Sequence, residues 1–412
     1  MASEVFEVEI SRLGSGGDGV AEVAGAPVYV PFTLPGERAV ITLEPGSDRG
    51  FLLDVVTPSP DRVAPVCPYF GACGGCALQH MERGAYLAWK REQVAAALKA
   101  RGLSVEIEPV RPVPLGSRRR AALALGRDKD GAVLGYRRAR SHDLIDVSTC
   151  PVLIPSISNR LARLKQALAP LLGGKREARV TVTETESGLD VLVAGARPNP
   201  SAIGTFAAQA GALGVARLTA GGESIVLGGT PEVDLSGAKV KLPPGAFLQA
   251  SREAEAELVK LMLEGTEGAK RVADLFAGLG TFSLALARTA AVDAYEADEA
   301  ALASLAEAAR RTPRLKPVKT LVRDLFRAPL GAKELDPYDA VVFDPPRAGA
   351  AAQAEALAKS CVPRLVAVSC NPGTLARDLR ILVDGGYRIT RVVPVDQFLF
   401  SPHIEVVAHL ER

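Results

Sequence analysis

Residues 271–296 read RVADLFAGLGTFSLALARTAAVDAYE, and that stretch decides the fold. An apolar run, RVADLF, meets the glycine turn AGLG. A helical pattern follows, and a second apolar run closes on Glu296. Working outward, the alternation holds to the end of the chain. Helix EAALASLAEAARR is followed by strand VKTLV, and strand AVVFD by helix AQAEALAKS. Strand LVAVSC leads to helix TLARDLRILVDGG, and the runs ITRVVPVDQF and HIEVVAHLE close the chain. Residues 252–265 supply a helix on the N-terminal side. Strands alternating with helices predict an α/β domain with a parallel, doubly wound sheet. Ligands of such sheets lie beyond the carboxyl ends of the strands.

Glycines in the AGLG turn let the backbone approach a ligand closely, and the helix after it aims its first N–H groups there. Glu296 follows Gly278 by 18 residues, where an acid can accept hydrogen bonds from ribose hydroxyls. Asp324, in LVRDLF after the third strand, is placed to bond an adenine amine. The turn is G-x-G without the third glycine of the dinucleotide fingerprint. S-adenosylmethionine therefore fits it better than a nicotinamide or flavin; a turn needed for packing alone is the third reading.

Three further strand ends carry reactive groups. Strand AVVF runs into Asp344-Pro345-Pro346-Arg347, and the prolines, unable to extend the ladder, hold Asp344 at the sheet edge. The next strand ends in SCNP with Cys370, and the last hairpin brings His403 and Glu405 in SPHIEVV. A thiol with two carboxylates suits methylation at carbon 5 of a uracil. That carbon is weakly nucleophilic until a thiolate adds at carbon 6, and a base must afterwards remove the carbon 5 proton. An amino-directed nucleic-acid methyltransferase would be expected to carry an aromatic residue after the Pro-Pro pair, where Arg347 stands. The plainer readings are that Cys370 is a small buried hydrophobe, that Glu405 is an outward strand residue, and that His403 is an ordinary satisfied histidine. Cys361 is read as a buried hydrophobe. His80, His142 and His409 carry no argument.

The remaining chain is less regular. Short alternating runs in residues 1–58 (FEVEIS, PVYVPF, RAVITLE, FLLDVV), broken by Gly/Pro turns, predict a small β-barrel. Residues 83–100 have helical periodicity. From about 105 to 240 strands (ALALG, ARVTVTE, LDVLVAG) mix with a helical stretch at 156–172. Cys67, Cys73 and Cys76 are spaced C-x5-C-x2-C, and Cys150 follows in VSTCPV. Four thiolates can hold an iron–sulfur cluster or a structural zinc. No apolar run approaches the ~20 residues of a membrane span, and the first residues lack a signal-peptide pattern, so a cytoplasmic chain is expected. The formal net charge of +2 identifies no partner, but its distribution is uneven. Residues 111–140 hold nine Arg/Lys against two Asp, while residues 1–60 hold nine acids against three bases. The basic strip, with Arg118, Arg119, Arg137 and Arg138, reads as a phosphate footprint or as a solvated hairpin.

Taken together these motifs resemble the bacterial RNA 5-methyluridine (uracil-C5) methyltransferases, in the subgroup with an N-terminal TRAM domain and a 4Fe–4S cluster. DLFAGLGTF, DPPRAG, SCNP and the closing H-x-E stand in the family's order, and CPYFGACGGCALQH with Cys150 resembles its cluster loop. The resemblance covers nearly the whole chain. It implies a TRAM, OB-like RNA-binding barrel over 1–58. A mixed α+β central domain with the cluster and an RNA-facing strip would span 59–245. A Rossmann-like methyltransferase domain would span 246–412. It implies Cys370 as nucleophile and Glu405 as general base. It implies S-adenosylmethionine contacts from Gln249, Phe276, Thr281, Glu296, Asp324 and Asp344. Cluster ligation by Cys67, Cys73, Cys76 and Cys150 follows from it too, as does an RNA partner: large-subunit (23S) rRNA ahead of transfer RNA. A monomer is expected. Two positions depart from the family pattern: Thr281 stands for a commonly seen Asn, and Ser117 where an aromatic often precedes the arginines. A non-catalytic iron–sulfur RNA-binding protein is the alternative of a different class.

Overall fold

The computed structural model describes residues 4–44 and 46–412. Two three-stranded antiparallel sheets form the N-terminal unit. One pairs Val5–Glu9, Arg38–Leu43 and Gly50–Thr57; the other pairs Arg12–Leu13, Gly19–Val23 and Ala26–Val30. Alternating residues of both, Val8, Ile10, Val28, Val30, Ala39 and Ile41 among them, close one small core. The strands at 12–13 and 19–23 are not among the runs legible in the sequence.

A seven-stranded sheet follows. Glu177–Thr185 lies at its middle, between Arg120–Asp128 and Gly188–Ala194. Its pairings are antiparallel except between Gly188–Ala194 and Val215–Ala220, which run parallel across the helix Pro200–Leu213. Asn199 caps that helix by accepting from the Ala202 N–H at 2.8 Å.

The C-terminal sheet carries the strands expected from the alternation: β1 (Arg271–Leu275), β2 (Ala291–Glu296), β3 (Val318–Val322), β4 (Ala340–Phe343), β5 (Arg364–Ser369), β6 (Arg388–Asp396) and β7 (Glu405–Glu411). Their order is β3-β2-β1-β4-β5-β7-β6. The first five run parallel, and β7 enters antiparallel between β5 and β6. The order reverses direction between β1 and β4, which opens a crevice at their carboxyl ends. Gly280 makes the turn after β1 possible. Its φ is +88°, and a Cβ there would lie 2.3 Å from Leu305 Cδ1.

Residues 83–113 depart from the central unit assigned to them above. Val94, Leu98, Leu103, Ile107 and Val110 bury themselves in the core under the C-terminal sheet. Arg111–Pro112 adds an edge strand parallel to β6. The helix Arg83–Lys99 is thus a member of the C-terminal layers. No helix among the described residues is long and apolar enough to cross a membrane.

Candidate active site

The β1 turn builds the nucleotide end of the crevice. Glu296, at the end of β2, accepts the Gly278 N–H at Oε2 (3.0 Å), while its Oε1 takes the N–H groups of Ala297 and Asp298. Those bonds fix the carboxylate at the rim. Phe276 holds φ at +64°, a strained value for a residue with a Cβ. Its ring lies 5.4 Å from that of Phe326, which is 51% exposed. With exposed Val322 at the end of β3, these rings line an apolar wall. Asp324 stands beside it, its Oδ1 accepting from the Phe326 and Arg327 N–H groups. Thr281 opens the helix after the turn and is half-buried. Phe326 was missed in the sequence; an apolar residue two positions past a strand-end acid was the available signal.

The reactive end is a chain of hydrogen bonds across three strand ends. Gln249, in the buried loop before helix Arg252–Gly265, donates to Asp344 Oδ2 at 3.1 Å. Gln397, just past β6, donates to Gln249 Oε1 (3.0 Å) and to Glu405 Oε2 (2.5 Å). Burial, reinforced by the neighbouring Asp344, pushes Glu405 well above the usual carboxylate range. Burial pushes Asp344 up to about 7 against the Gln249 hydrogen bond. Burial first, then Glu405 and Asp344, push the Cys370 thiol up to about 11, with Arg347 pulling the other way. Asp274, on β1, is also pushed up to about 7 by burial, against the Ser283 hydroxyl that donates to it at 2.6 Å. The structure therefore brings Gln249, Asp344, Cys370 and Glu405 to one electrostatic site. Asp274 and Gln397 were not foreseen.

His403 is exposed and lies against the guanidinium of Arg347, Nη2 to Nδ1 at 2.7 Å. The loop bearing it is pinned from behind. Lys90 and Asp396 form a fully buried ion pair, and the Lys90 ammonium also donates to the carbonyls of Phe398 (3.2 Å) and His403 (2.7 Å). Tyr86 adds a hydroxyl to the same Asp396 carboxylate at 3.0 Å.

The basic strip divides. Arg119 is buried: its guanidinium bonds Glu255 Oε2 (2.6 Å) and the Gln249 carbonyl (3.1 Å), while Arg120 reaches the Gly245 carbonyl. Both are struts for the loop that delivers Gln249. Burying a guanidinium requires such partners, so Arg119 is no phosphate ligand. Arg138 and Arg140 are exposed and, with Arg49, Phe32, Phe51 and His403, line a cleft of about 830 Å³ between the N-terminal sheets and the cysteine loop. Arg137 is exposed and pairs with Glu177 at 2.6 Å. Cys361 departs from its expected burial: it is exposed in the turn after helix Ala351–Ala358, where its N–H is tied to Asp336 at 2.8 Å.

Cys67, Cys73, Cys76 and Cys150 line one cavity of about 210 Å³ with Tyr69 and Tyr136. All four thiols are free. Burial, then the neighbouring thiols, raises Cys76 to about 12. Among the described residues no group of three or more His, Cys, Asp or Glu is arranged to hold a metal ion as it stands.

A parallel sheet reversing between β1 and β4, with a glycine turn and a rim acid, is the frame of an enzyme that binds a nucleoside-bearing cofactor at that crevice. Residues 317–412 match the family model described as tRNA (Uracil-5-)-methyltransferase, and residues 1–47 match the TRAM domain. An uncharacterized RNA methyltransferase of Rhizobium meliloti is 47% identical, with 98% of this chain and 99% of that one covered. The 23S rRNA (uracil(1939)-C(5))-methyltransferase RlmD of Chromohalobacter salexigens is 36% identical over 98% of this chain and 89% of its own. Among solved structures, the Pyrococcus abyssi tRNA (uracil-54, C5)-methyltransferase in complex with S-adenosyl-L-homocysteine aligns with a TM-score of 0.73 at 25% identity, covering 98% and 100% of the two chains. The chain belongs to the RNA uracil methyltransferase family and carries its N-terminal TRAM domain.

Proposed function

We propose that this protein methylates carbon 5 of a uridine in large-subunit rRNA through a covalent adduct on Cys370, with Glu405 as general base. The observation that carries the reading is the placement of Asp344, Cys370 and Glu405 at neighbouring strand ends, with the two carboxyls joined through Gln249 and Gln397.

S-adenosylmethionine, when bound, supplies an electrophilic methyl group. Glu296 would hold its ribose and Asp324 its adenine amine, with Phe276 and Phe326 against the ring. Gln249, Thr281 and Asp344 would complete its pocket. Asp274 Oδ1, buried without a hydrogen-bond partner, lies in β1 just before the same turn and fits a polar ligand there. The Cys370 thiolate adds to carbon 6 of the uracil, and the ring's double-bond electrons move toward carbon 5 and the carbon 4 oxygen. Carbon 5 then accepts the methyl group. Glu405 takes the carbon 5 proton, the C5–H electrons restore the C5=C6 bond, and the C6–S bond breaks to return the thiolate. Burial raises both Asp344 and Glu405, so each resists a second negative charge beside the Cys370 thiol. A base tuned upward by burial also works closer to the operating pH.

The four-thiol cavity fits an iron–sulfur cluster better than zinc. The C-x5-C-x2-C spacing with a distant fourth cysteine departs from the two short cysteine pairs of a zinc ribbon, and the four thiols share one cavity. Cys67, Cys73, Cys76 and Cys150 would hold it, and its role is structural. The cleft lined by Arg49, Arg138 and Arg140 leads RNA phosphates past His403 to the crevice, and the target base leaves its stack to enter. The rRNA assignment rests on the 36% relative; the transfer-RNA alternative rests on the more distant solved structure.

Cys370→Ala should abolish both methylation and adduct. Glu405→Gln should transfer the methyl group and then stall, accumulating a denaturation-resistant protein–RNA complex that carries labelled methyl, since losing a general base costs about 10²–10⁴ in its step. Continued methylation by Cys370→Ala would refute the covalent route. Mapping 5-methyluridine in a strain lacking the gene decides the RNA: loss from tRNA with rRNA intact would overturn the rRNA assignment.

A further inference from the structure

We infer that Gln397 is a positioning residue for the proton-removal step: its side-chain amide holds Glu405 as a proton acceptor and ties it to Gln249. This rests on the proposed role of Glu405 as base.

Gln397 is 4% exposed, and both of its amide N–H groups and its amide oxygen are engaged. One N–H goes to Glu405 Oε2 and the other to Gln249 Oε1, while its Oε1 accepts the Ala250 N–H at 3.1 Å. The Ala250 bond decides which way the amide faces. Turned over, the amide oxygen would confront the Glu405 carboxylate and the Gln249 oxygen, and the NH₂ group would meet a backbone N–H. Gln397 therefore presents only donors to Glu405. A donor favours the charged carboxylate, against burial and against Asp344. The titratable groups facing Glu405 are Asp344 at the end of β4 and the Cys370 thiol at the end of β5. The Lys90–Asp396 pair on the β6 side is mutually compensated. The neutral amide of Gln397 is thus what opposes the two acidic neighbours. Its second N–H fixes Gln249, whose own amide serves Asp344, so the two carboxyls are held by one relay.

Breakdown of the methylated adduct isolates this role, because Cys370 is then a thioether and does not titrate. The experiment follows single turnovers with methyl-labelled S-adenosylmethionine and substrate RNA by rapid quench, from pH 6 to pH 9 on the order of half-unit steps, for wild type, Gln397→Met, Gln397→Glu and Glu405→Gln. Losing a hydrogen bond to a charged group should move the acid limb of adduct breakdown up by about 1–2 pH units in Gln397→Met. The adduct should then persist near neutral pH and clear as pH rises. Gln397→Glu keeps the size and polarity of the native residue, so it serves if the Met variant folds poorly; it should shift the limb further, because it adds a third acid. A purely structural role would lower the rate equally at every pH. If both variants show an unshifted limb while Glu405→Gln stalls, the base assignment stands and the role given to Gln397 is refuted. If Glu405→Gln clears its adduct like wild type, the base assignment fails first and the inference falls with it.

Discussion

Lys90→Met tests how the catalytic loop is held. Lys90 and Asp396 are both 0% exposed, and the ammonium has three partners: the Asp396 carboxylate and the carbonyls of Phe398 and His403. Methionine keeps most of the volume and removes the charge. Asp396 would then sit buried with the Tyr86 hydroxyl, and breaking such a pair from one side costs about 3–5 kcal/mol. In a domain of this size that should lower Tm by roughly 6–20 °C. Replacing both partners, as in Lys90→Met with Asp396→Leu, should recover most of the loss, since a buried ion pair often gains little over apolar packing. Recovery should stop short of wild type, because two carbonyls remain without their donor at about 1 kcal/mol or more each. The assay is thermal unfolding of the three variants, with methyl transfer measured well below the transition. The double variant should be stable yet slow, because residues 397–404, which carry Gln397 into Glu405, have lost their anchor. A single variant within about 1 kcal/mol of wild type would show that the pair does not hold the loop.

Phe326→Ala removes the exposed half of the ring pair with half-buried Phe276, and should raise KM for S-adenosylmethionine about 2–10-fold with kcat nearly unchanged; an unchanged KM would remove the adenine from that wall. Anaerobically purified protein should hold about four iron and four sulfide, and Cys150→Ser should lose them and unfold at lower temperature, whereas colourless protein with one zinc would overturn the cluster. His80 is 1% exposed between Phe32 and Phe70, and burial, then Arg62, lowers it from 6.5 to about 4. The unfolded chain therefore binds a proton that the folded one refuses. Stability is fully present above about pH 6.5 and falls as pH drops toward 4. His80→Phe should flatten that acid slope in urea unfolding between pH 7 and pH 4, and an unaltered slope would assign the loss to other groups.

The C-terminal sheet was legible because alternation of apolar runs with 3.6-period segments is a local signal, and because acids and a thiol at strand ends point to one crevice wherever the sheet is parallel. Gln397 was not legible, since a glutamine after a strand has no pattern and its meaning comes from Gln249, 148 residues away. Lys90 reads as the solvated face of a helix; its burial is decided by Asp396, 306 residues on. Arg119 and Arg120 look like their neighbours in a basic run, yet the strand buries Arg119 and half-buries Arg120 against the loop of Gln249. Charge counting cannot separate a strut from a phosphate ligand when both are arginines of one basic strip. Cys361 was misread because a free cysteine usually packs as a small buried hydrophobe, but the turn that Asp336 ties leaves the side chain outside.

Two buried glutamates show what sets their chemistry apart. Glu37 and Glu405 are 0% and 3% exposed, and burial alone raises both. Glu37 nevertheless ends lower than its ordinary value, because the Arg62 guanidinium bonds it and the Leu34 and Ser59 N–H groups add to that. Glu405 ends higher, because its donor is the neutral amide of Gln397 and its charged neighbour is Asp344. The same contrast runs through the crevice: Ser283 serves Asp274 and Gln249 serves Asp344, so uncharged donors hold each carboxyl there. Uncharged donors fix a carboxyl's geometry without the Coulombic pull that would make it a permanent anion. The base proposed at Glu405 must take a proton and give it back, which that arrangement allows; an Arg in place of Gln397 would hold Glu405 as firmly and lower its basicity.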